Sequence, residues 1–234
     1  MEEHLGRAVP AELTFRDQNG DTVRLGDYWK DGKTVMLTLN YFECPMLCSI
    51  QLNKLVEGLR ELSWTIGEDF RIVTVSIDST EKPKLAKAKR ATYLKELGRP
   101  EADWNFLTGD DASIRALADA VGFRFHWVEE TKQFAHPAVV FVLSPDGVVA
   151  RYIYGIEYPA RDLKFALVEA SEGRLGSPVD KFFLSCFHYD STVGAYGPWA
   201  MGIMRAAGVV SMLVLSVVLT ALWRRDLARR ARRS

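Results

Sequence analysis

Cysteine is scarce in this chain, and that scarcity already excludes one class of protein. Only three cysteines stand among the 234 residues, too few for the disulfide scaffold of a small secreted domain. Two of them, Cys44 and Cys48, are four positions apart, and the third is Cys186. A close pair in such a chain indicates chemistry at the pair itself, either a redox couple or a metal site.

The chain also lacks an excess of charge, internal repeats and low-complexity segments. Its formal net charge is zero, but seven arginines lie between positions 205 and 233, so residues 1–204 carry 23 basic and 29 acidic groups. The body of the protein is therefore mildly acidic, and it shows no basic patch interleaved with aromatic residues. This composition argues against a nucleic-acid-binding function.

The first ten residues lack the charged and then apolar pattern of a secretory signal, and the long apolar run lies at the other end. Residues 206–223 are uncharged, and the stretch 199–223, which includes Arg205, has 25 residues, enough to cross a membrane. Trp199 and Trp223 stand where interfacial aromatic residues are found. We expect a transmembrane helix over 199–223, the alternative being a buried core helix.

The arginines of the tail, residues 224–234, predict the orientation of that helix. Basic flanks stay in the cytoplasm, so the cysteine domain is expected on the periplasmic side of the cell inner membrane. A domain translocated ahead of its only span needs an N-terminal signal. We therefore expect that the printed chain lacks its original N-terminus; the alternative is a cytosolic, tail-anchored protein.

The hydrophobic pattern before the span predicts one α/β domain. A hairpin around Asn19-Gly20 comes first, and the near-continuous apolar runs that follow are typical of strands buried on both faces. The predicted elements are strands at 35–41, 71–77, 104–107, 123–128, 138–143 and 148–154, and helices at 44–62, 82–97, 110–121 and 159–170, with 129–134 as a loop. This order predicts a thioredoxin-like sandwich.

The cysteine pair lies where the first of these strands leads into a helix. Pro45 suits the first turn of a helix, and residues four apart lie on one helix face. A helix N-terminus favours anions and lowers thiol pKa values. Two thiolates at Cys44 and Cys48 would then form a disulfide, act as a metal-free redox pair or hold a soft metal ion.

His136 is the residue that favours the metal. It stands directly before a buried strand that is expected to neighbour the strand leading into Cys44, so its side chain can reach the cysteine helix. Two thiolates and one imidazole suit copper as Cu(I) or Cu(II), whereas zinc usually takes a fourth protein ligand. The alternative for His136 is a loop histidine bonded to a backbone carbonyl.

Three segments of the chain together resemble the Sco/SenC family. They are Y-F-E-C-P-M-L-C, V-T-V-S-I-D-S-T-E-K-P and H-P-A-V-V-F-V-L-S-P-D-G, and the resemblance covers roughly residues 12–172. It implies that Cys44, Cys48 and His136 are copper ligands and that Asp78 is an acidic residue close to the metal; a simple turn is the alternative for Asp78. The family commonly has proline after the second cysteine, where this chain has Ser49. It also commonly has an N-terminal anchor, whereas the anchor expected in this chain is C-terminal.

The resemblance implies a membrane-anchored copper chaperone that serves the binuclear copper site of a cytochrome c oxidase. Its partner is then the copper-site subunit of that oxidase or a related cuproprotein. The alternative is an enzyme, a thiol–disulfide oxidoreductase that uses Cys44 and Cys48 to reduce cysteines of the client protein. The reduction potential and exchange rate of the pair distinguish the two functions.

The expected organisation has five parts. The domain, residues 12–173, follows an N-terminal extension of residues 1–11. A juxtamembrane linker, residues 174–198, then leads to the span and the tail. This linker contains Cys186 and His188, either as a second metal or redox site or as part of a packed loop with a free thiol.

Overall fold

The computed structural model of the chain describes residues 1–43 and 47–173, together with 189–190, 195–196, 212 and 216. For residues 47–49, 189–190 and 195–196 it describes the backbone alone. The chain divides into two units, Met1–Gly176 and Ser177–Ser234.

The first unit alternates strands with helices along most of its length. A short 3-10 helix at Leu25–Tyr28 follows the first hairpin. In chain order the elements are β1 Thr14–Arg16, β2 Thr22–Arg24, β3 Thr34–Asn40, α1 Leu47–Glu61, β4 Phe70–Ser76, α2 Pro83–Leu97, β5 Trp104–Leu107, α3 Asp111–Ala120, β6 His126–Val128, β7 Gln133–Ala135, β8 Val139–Leu143, β9 Val149–Tyr154 and α4 Ala160–Ser171.

A five-stranded mixed sheet in the order β5-β4-β3-β8-β9 forms the centre of this unit. Strands β3, β4 and β5 run parallel, whereas β8 lies antiparallel to β3 and β9 antiparallel to β8. Every residue of β3 is buried. This is why its sequence, T-V-M-L-T-L-N, is a near-continuous apolar run rather than an alternating one.

Successive side chains of a strand point to opposite faces, and each face of this sheet has its own core. Met36, Ile72 and Val140 pack with buried residues of α1, α2 and α4 on one face. Leu37, Val73 and Phe141 pack on the other face with α3, the 3-10 helix and part of the N-terminal hairpin. The result is a sheet between two layers, the α/β sandwich that the sequence predicts.

Residues 1–9, which belong to the expected N-terminal extension of residues 1–11, pack along β9 and against the residues that follow α3. Backbone bonds join Gly6 N–H to the Val149 carbonyl and Val9 N–H to the Gly147 carbonyl. The Tyr154 hydroxyl donates to Glu3 at 2.7 Å. These contacts make the N-terminal segment part of the folded unit.

The hairpin of β6 and β7 differs from the sequence-based expectation, in which a strand covers residues 123–128; β6 covers only His126–Val128. Residues 129–134 were expected to form a loop, but β7 pairs with β6 in an antiparallel hairpin. Lys132 adopts a positive φ of 52° that turns the chain, and Trp127 packs edge-on against Phe134 with ring centroids 5.0 Å apart. An aromatic cross-strand pair of this kind stabilises a short hairpin, and the polar residues between the strands conceal it in the sequence.

The second unit is described only in short pieces. Strands β10, Tyr189–Asp190, and β11, Ala195–Tyr196, pair antiparallel. The expected span at 199–223, and Cys186 and His188, lie outside the described residues, except for Met212 and Ser216. Within the described residues, no helix combines the length and the apolar character that crossing a membrane requires.

Helix α1 approaches the chain ahead of α4 so closely that only glycine fits at position 58. A Cβ atom there would lie 1.9 Å from the carbonyl oxygen of Tyr158. In an open helix, replacing glycine by alanine stabilises by about 1 kcal/mol. We predict that Gly58→Ala instead lowers the free energy of unfolding by about 1–3 kcal/mol, measured by urea denaturation.

Glu61→Ala, at an exposed position in the last turn of the same helix, is the control. It should change the free energy of unfolding by no more than about 0.5 kcal/mol. A Gly58→Ala protein as stable as the parent would contradict the close approach of the two segments.

Candidate metal centre

The cysteine pair follows the carboxyl end of the central strand. After β3 ends at Asn40, Tyr41 and Phe42 remain buried and Glu43 reaches the surface. Cys44 lies outside the described residues, and α1 begins at Leu47 with Cys48 as its second residue. The helix has no acidic residue in its first turn, and the N-terminus of a helix favours anions.

The fold brings His136 to the same end of the sheet. Strand β8 pairs antiparallel with β3, with Val140 opposite Thr38, so the residues that precede β8 lie beside those that follow β3. The imidazole ring meets the Tyr41 ring edge-on, with centroids 6.1 Å apart, and lies 5.9 Å from the Phe123 ring. His136 thus lies beside the residue three positions ahead of Cys44.

The His136 ring is prepared to act as a metal ligand. Its Nδ1–H donates to the Pro137 carbonyl at 3.0 Å, which leaves the lone pair of the neutral ring on Nε2. Burial lowers the pKa of His136, and the bond to Pro137 partly offsets this shift. The ring is therefore neutral near pH 7, the form in which imidazole binds a metal.

A buried carboxylate that sequence reasoning missed holds the turn before Cys44. Glu81 is only 7% exposed. It accepts hydrogen bonds from Phe42 N–H at 2.9 Å and Glu43 N–H at 2.8 Å. The Ser76 hydroxyl donates to it as well, at 2.5 Å. In the sequence, Glu81 looks like an ordinary surface acid ahead of a helix, and nothing in the hydrophobic pattern predicts that it is buried.

A second missed residue, Gln51, joins the three segments that carry the predicted ligands. It is fully buried and lies one turn beyond Cys48 in α1. Its Oε1 accepts from the Asn40 side chain at 2.9 Å, and its Nε2 donates to the Val139 carbonyl at 3.0 Å. The side chain therefore ties α1 to the end of β3 and to the start of β8.

A sequence model of the SCO1/SenC family matches residues 2–168. The chain belongs to the SCO1/SenC family. A search of curated proteins finds no match to it.

Solved structures agree with this assignment. A putative electron transfer protein from Aquifex aeolicus VF5 is 29% identical, with a TM-score of 0.63, over 73% of this chain and 95% of that one. Copper-bound ScoI from Arabidopsis thaliana is 22% identical, with a TM-score of 0.55, over 71% and 99%. Copper-bound ScoI from Bradyrhizobium japonicum is 22% identical, with a TM-score of 0.52, over 68% and 100%. The mixed sheet described above is thus the thioredoxin-like fold of Sco proteins.

Asp78, which the family resemblance implies is close to the metal, makes local contacts in this SCO1/SenC chain. Its Oδ1 accepts from the Thr80 N–H at 2.8 Å and the Thr80 hydroxyl at 2.6 Å. These bonds are typical of a turn that an aspartate side chain closes. Its role beside a metal stays a prediction, and the carboxylate bonded to the turn before Cys44 belongs to Glu81.

For Cys44 and Cys48, the role of copper ligand stays a prediction. The side chains of Cys44 and Cys48 lie outside what the structure describes. Within the described residues, no three His, Cys, Asp or Glu side chains form a cluster able to hold a metal ion. His136 is the described member of the predicted set, and its donor chemistry fits copper.

We predict that His136 of the metal-free SCO1/SenC protein titrates below the usual histidine range. Burial disfavours the charged ring, so its pKa, followed by NMR of the imidazole, should be lower in the folded chain than in the urea-unfolded chain, where about 6.5 is expected. The contribution of this residue to stability is complete above the unfolded pKa. It is lost as the pH falls through that value towards the folded pKa.

His136→Gln identifies the resonance and serves as the control, since its stability should not follow this part of the pH profile. A folded pKa equal to the unfolded one would show that the imidazole is exposed to water.

Proposed function

We propose that this chain is a copper-binding assembly factor whose cargo is held by Cys44, Cys48 and His136. The observation that carries the proposal is the position of His136, whose ring contacts Tyr41 at the end of the strand that leads to Cys44. The neutral imidazole and the start of α1 at Leu47, one residue before Cys48, support it. Family membership supports it as well, because Sco proteins have been solved with copper bound.

We propose that the recipient is the copper-site subunit of a cytochrome c oxidase or a related cuproprotein. Two thiolates bind Cu(I) tightly, and the imidazole adds a ligand that both oxidation states accept. Because Glu43, the residue before Cys44, is exposed, we expect that a partner's thiolates or imidazoles can reach the site and replace these ligands one at a time. Copper then moves between proteins without being released into water.

We predict that copper binding by the full chain depends on all three residues, but in different ways. Cys44→Ser and Cys48→Ser should each abolish tight Cu(I) binding, because one soft thiolate is lost. His136→Ala should weaken mainly Cu(II), because two thiolates remain for Cu(I). Anaerobic titration, with competition against a Cu(I) chelator and absorbance spectra for Cu(II), measures both.

His126→Ala, at an exposed position in β6, is the control and should bind copper like the parent. Equal copper uptake by the parent and by Cys44→Ser would overturn the proposed site.

The rival function is that of a thiol–disulfide oxidoreductase. The position of Cys48 in the first turn of α1 favours it, since a stabilised thiolate also promotes disulfide exchange. BsSco, a Sco relative 24% identical to this chain, is described as having a disulfide switch. Electron exchange does not need the imidazole. A His136→Ala protein that reduces a client disulfide as fast as the parent, while Cu(II) binding is lost, would favour the rival.

We further propose that residues 199–223 anchor the protein in the inner membrane, with the domain in the periplasm and residues 224–234 in the cytoplasm. The uncharged run and the arginines that follow it support this orientation. We predict that the full chain stays with membranes after alkaline carbonate extraction, whereas a chain ending at residue 198 is released. Replacing Leu213 and Leu215 by alanine, which preserves an apolar span, should leave the protein in the membrane fraction.

A further inference from the structure

The contacts of Glu81 exceed what stabilising the start of α2 requires. Its two oxygens accept from two consecutive backbone N–H groups, Oε2 from Phe42 and Oε1 from Glu43. Ser76, the last residue of β4, donates to Oε2 as well. One side chain thus joins the end of β4, the start of α2 and the turn after β3.

No lysine or arginine forms an ion pair with Glu81 among the described residues. Its donors are two amides and one hydroxyl, and Asp78 adds a like charge nearby. A carboxylate removed from water without a cationic partner is unfavourable for stability. A neutral side chain of the same size would avoid this cost, but it could not accept from both N–H groups of the turn, so the carboxylate is explained by the geometry of that turn.

We propose that Glu81 is a positioning residue for the candidate copper site, fixing the two peptide groups from which the chain enters Cys44. An acceptor of one hydrogen bond fixes one peptide group and leaves the next free to rotate. A carboxylate that uses one oxygen for each of two successive N–H groups fixes both. This inference rests on the proposed function, because it concerns the cysteine that we assign to the metal.

The carboxylate is itself held firmly enough for this role. The Glu81 N–H donates to the Asp78 carbonyl, and α2 begins two residues later at Pro83. On the other side, the Phe42 ring packs against Phe106 with centroids 5.6 Å apart. Both ends of the contact are therefore anchored in the core, and the direction of the chain at Glu43 follows from the position of Glu81.

Glu81→Gln is the sharpest test, because it preserves size while exchanging one acceptor oxygen for an NH₂ donor. In either orientation of the amide that donor would face an N–H group of the turn, that of Glu43 at the Oε1 position or that of Phe42 at the Oε2 position. Glu81→Ala removes the contact altogether. Ser76→Ala removes one bond to the carboxylate but leaves both bonds to the turn. Val35→Ala, buried at the opposite end of β3, is the control for lost stability.

Two readouts on the full chain separate positioning from stability. The first is the Cu(I) dissociation constant by competition with bicinchoninate, where residues that support metal ligands typically matter about 10–100-fold. The second is the dithiol–disulfide equilibrium of the metal-free protein with glutathione. In that reaction the Cys44–Cys48 disulfide takes two electrons and two protons from two glutathiones, giving the dithiol and one glutathione disulfide.

We expect Glu81→Gln and Glu81→Ala to weaken Cu(I) binding about tenfold or more and to shift the glutathione equilibrium constant in the same preparations. Ser76→Ala and Val35→Ala should lower the free energy of unfolding while both readouts stay close to those of the parent. Glu81 variants that lose stability like Val35→Ala, yet preserve both readouts, would overturn the positioning role.

The two readouts also separate this inference from the function on which it rests. A parent protein without tight Cu(I) binding overturns the proposed copper function. Under that outcome, a shifted glutathione equilibrium in Glu81→Gln still supports the positioning of the cysteines, and an unshifted one overturns it.

Discussion

Strand β3 is hydrogen-bonded along both of its edges, to β4 on one side and to β8 on the other. A strand held on both sides cannot shift its register without breaking two ladders, so its carboxyl end has a fixed position. Two side chains act at this end: Gln51 joins Asn40 to β8, and Glu81 holds Phe42 and Glu43. The cysteine segment and His136 therefore enter the candidate site from anchored positions.

Buried polar side chains do what apolar packing cannot at this end of the sheet. Apolar contacts are non-directional, whereas Gln51 bonds one acceptor and one donor on different strands in a single geometry. Removing one partner leaves the other buried without a hydrogen bond, which costs about 1–3 kcal/mol. Such networks favour one arrangement of the segments, which is what a site assembled from distant parts of the chain requires.

The sequence predicts most strands and helices of the first unit well, because they depend on local patterns. The apolar runs of β3 and β4 and the Asp110 cap of α3, which accepts from Ser113 N–H, follow from such patterns. It also predicts that His136 approaches the cysteine segment, since a residue that precedes one strand lies beside residues that follow its antiparallel neighbour. The pairing of β3 with β8 has this geometry.

The supports of the site were not predictable in the same way. Glu81 and Gln51 look like surface residues in sequence, and their burial depends on which segments the fold brings together. Strand β7 was missed for a related reason, because its stabilising contact, Phe134 with Trp127, crosses a turn of polar residues. For Glu81 and Gln51 the deciding interactions join segments that lie far apart in the chain, whereas for β7 the contact is local and is hidden by the polar turn.

Burial shifts the pKa values of Glu81 and His136 in opposite directions, and in each case it favours the neutral form. Burial raises the pKa of Glu81, so ionisation disfavours the folded state, and its effect on stability worsens as the pH rises from the unfolded pKa through the folded one. Burial lowers the pKa of His136, so stability is lost as the pH falls. Yet only the ionised Glu81 accepts with both oxygens, and only the neutral His136 offers a lone pair. The neutral histidine therefore satisfies stability and metal binding together, whereas the form of Glu81 that holds both N–H groups before Cys44 is the form that burial disfavours.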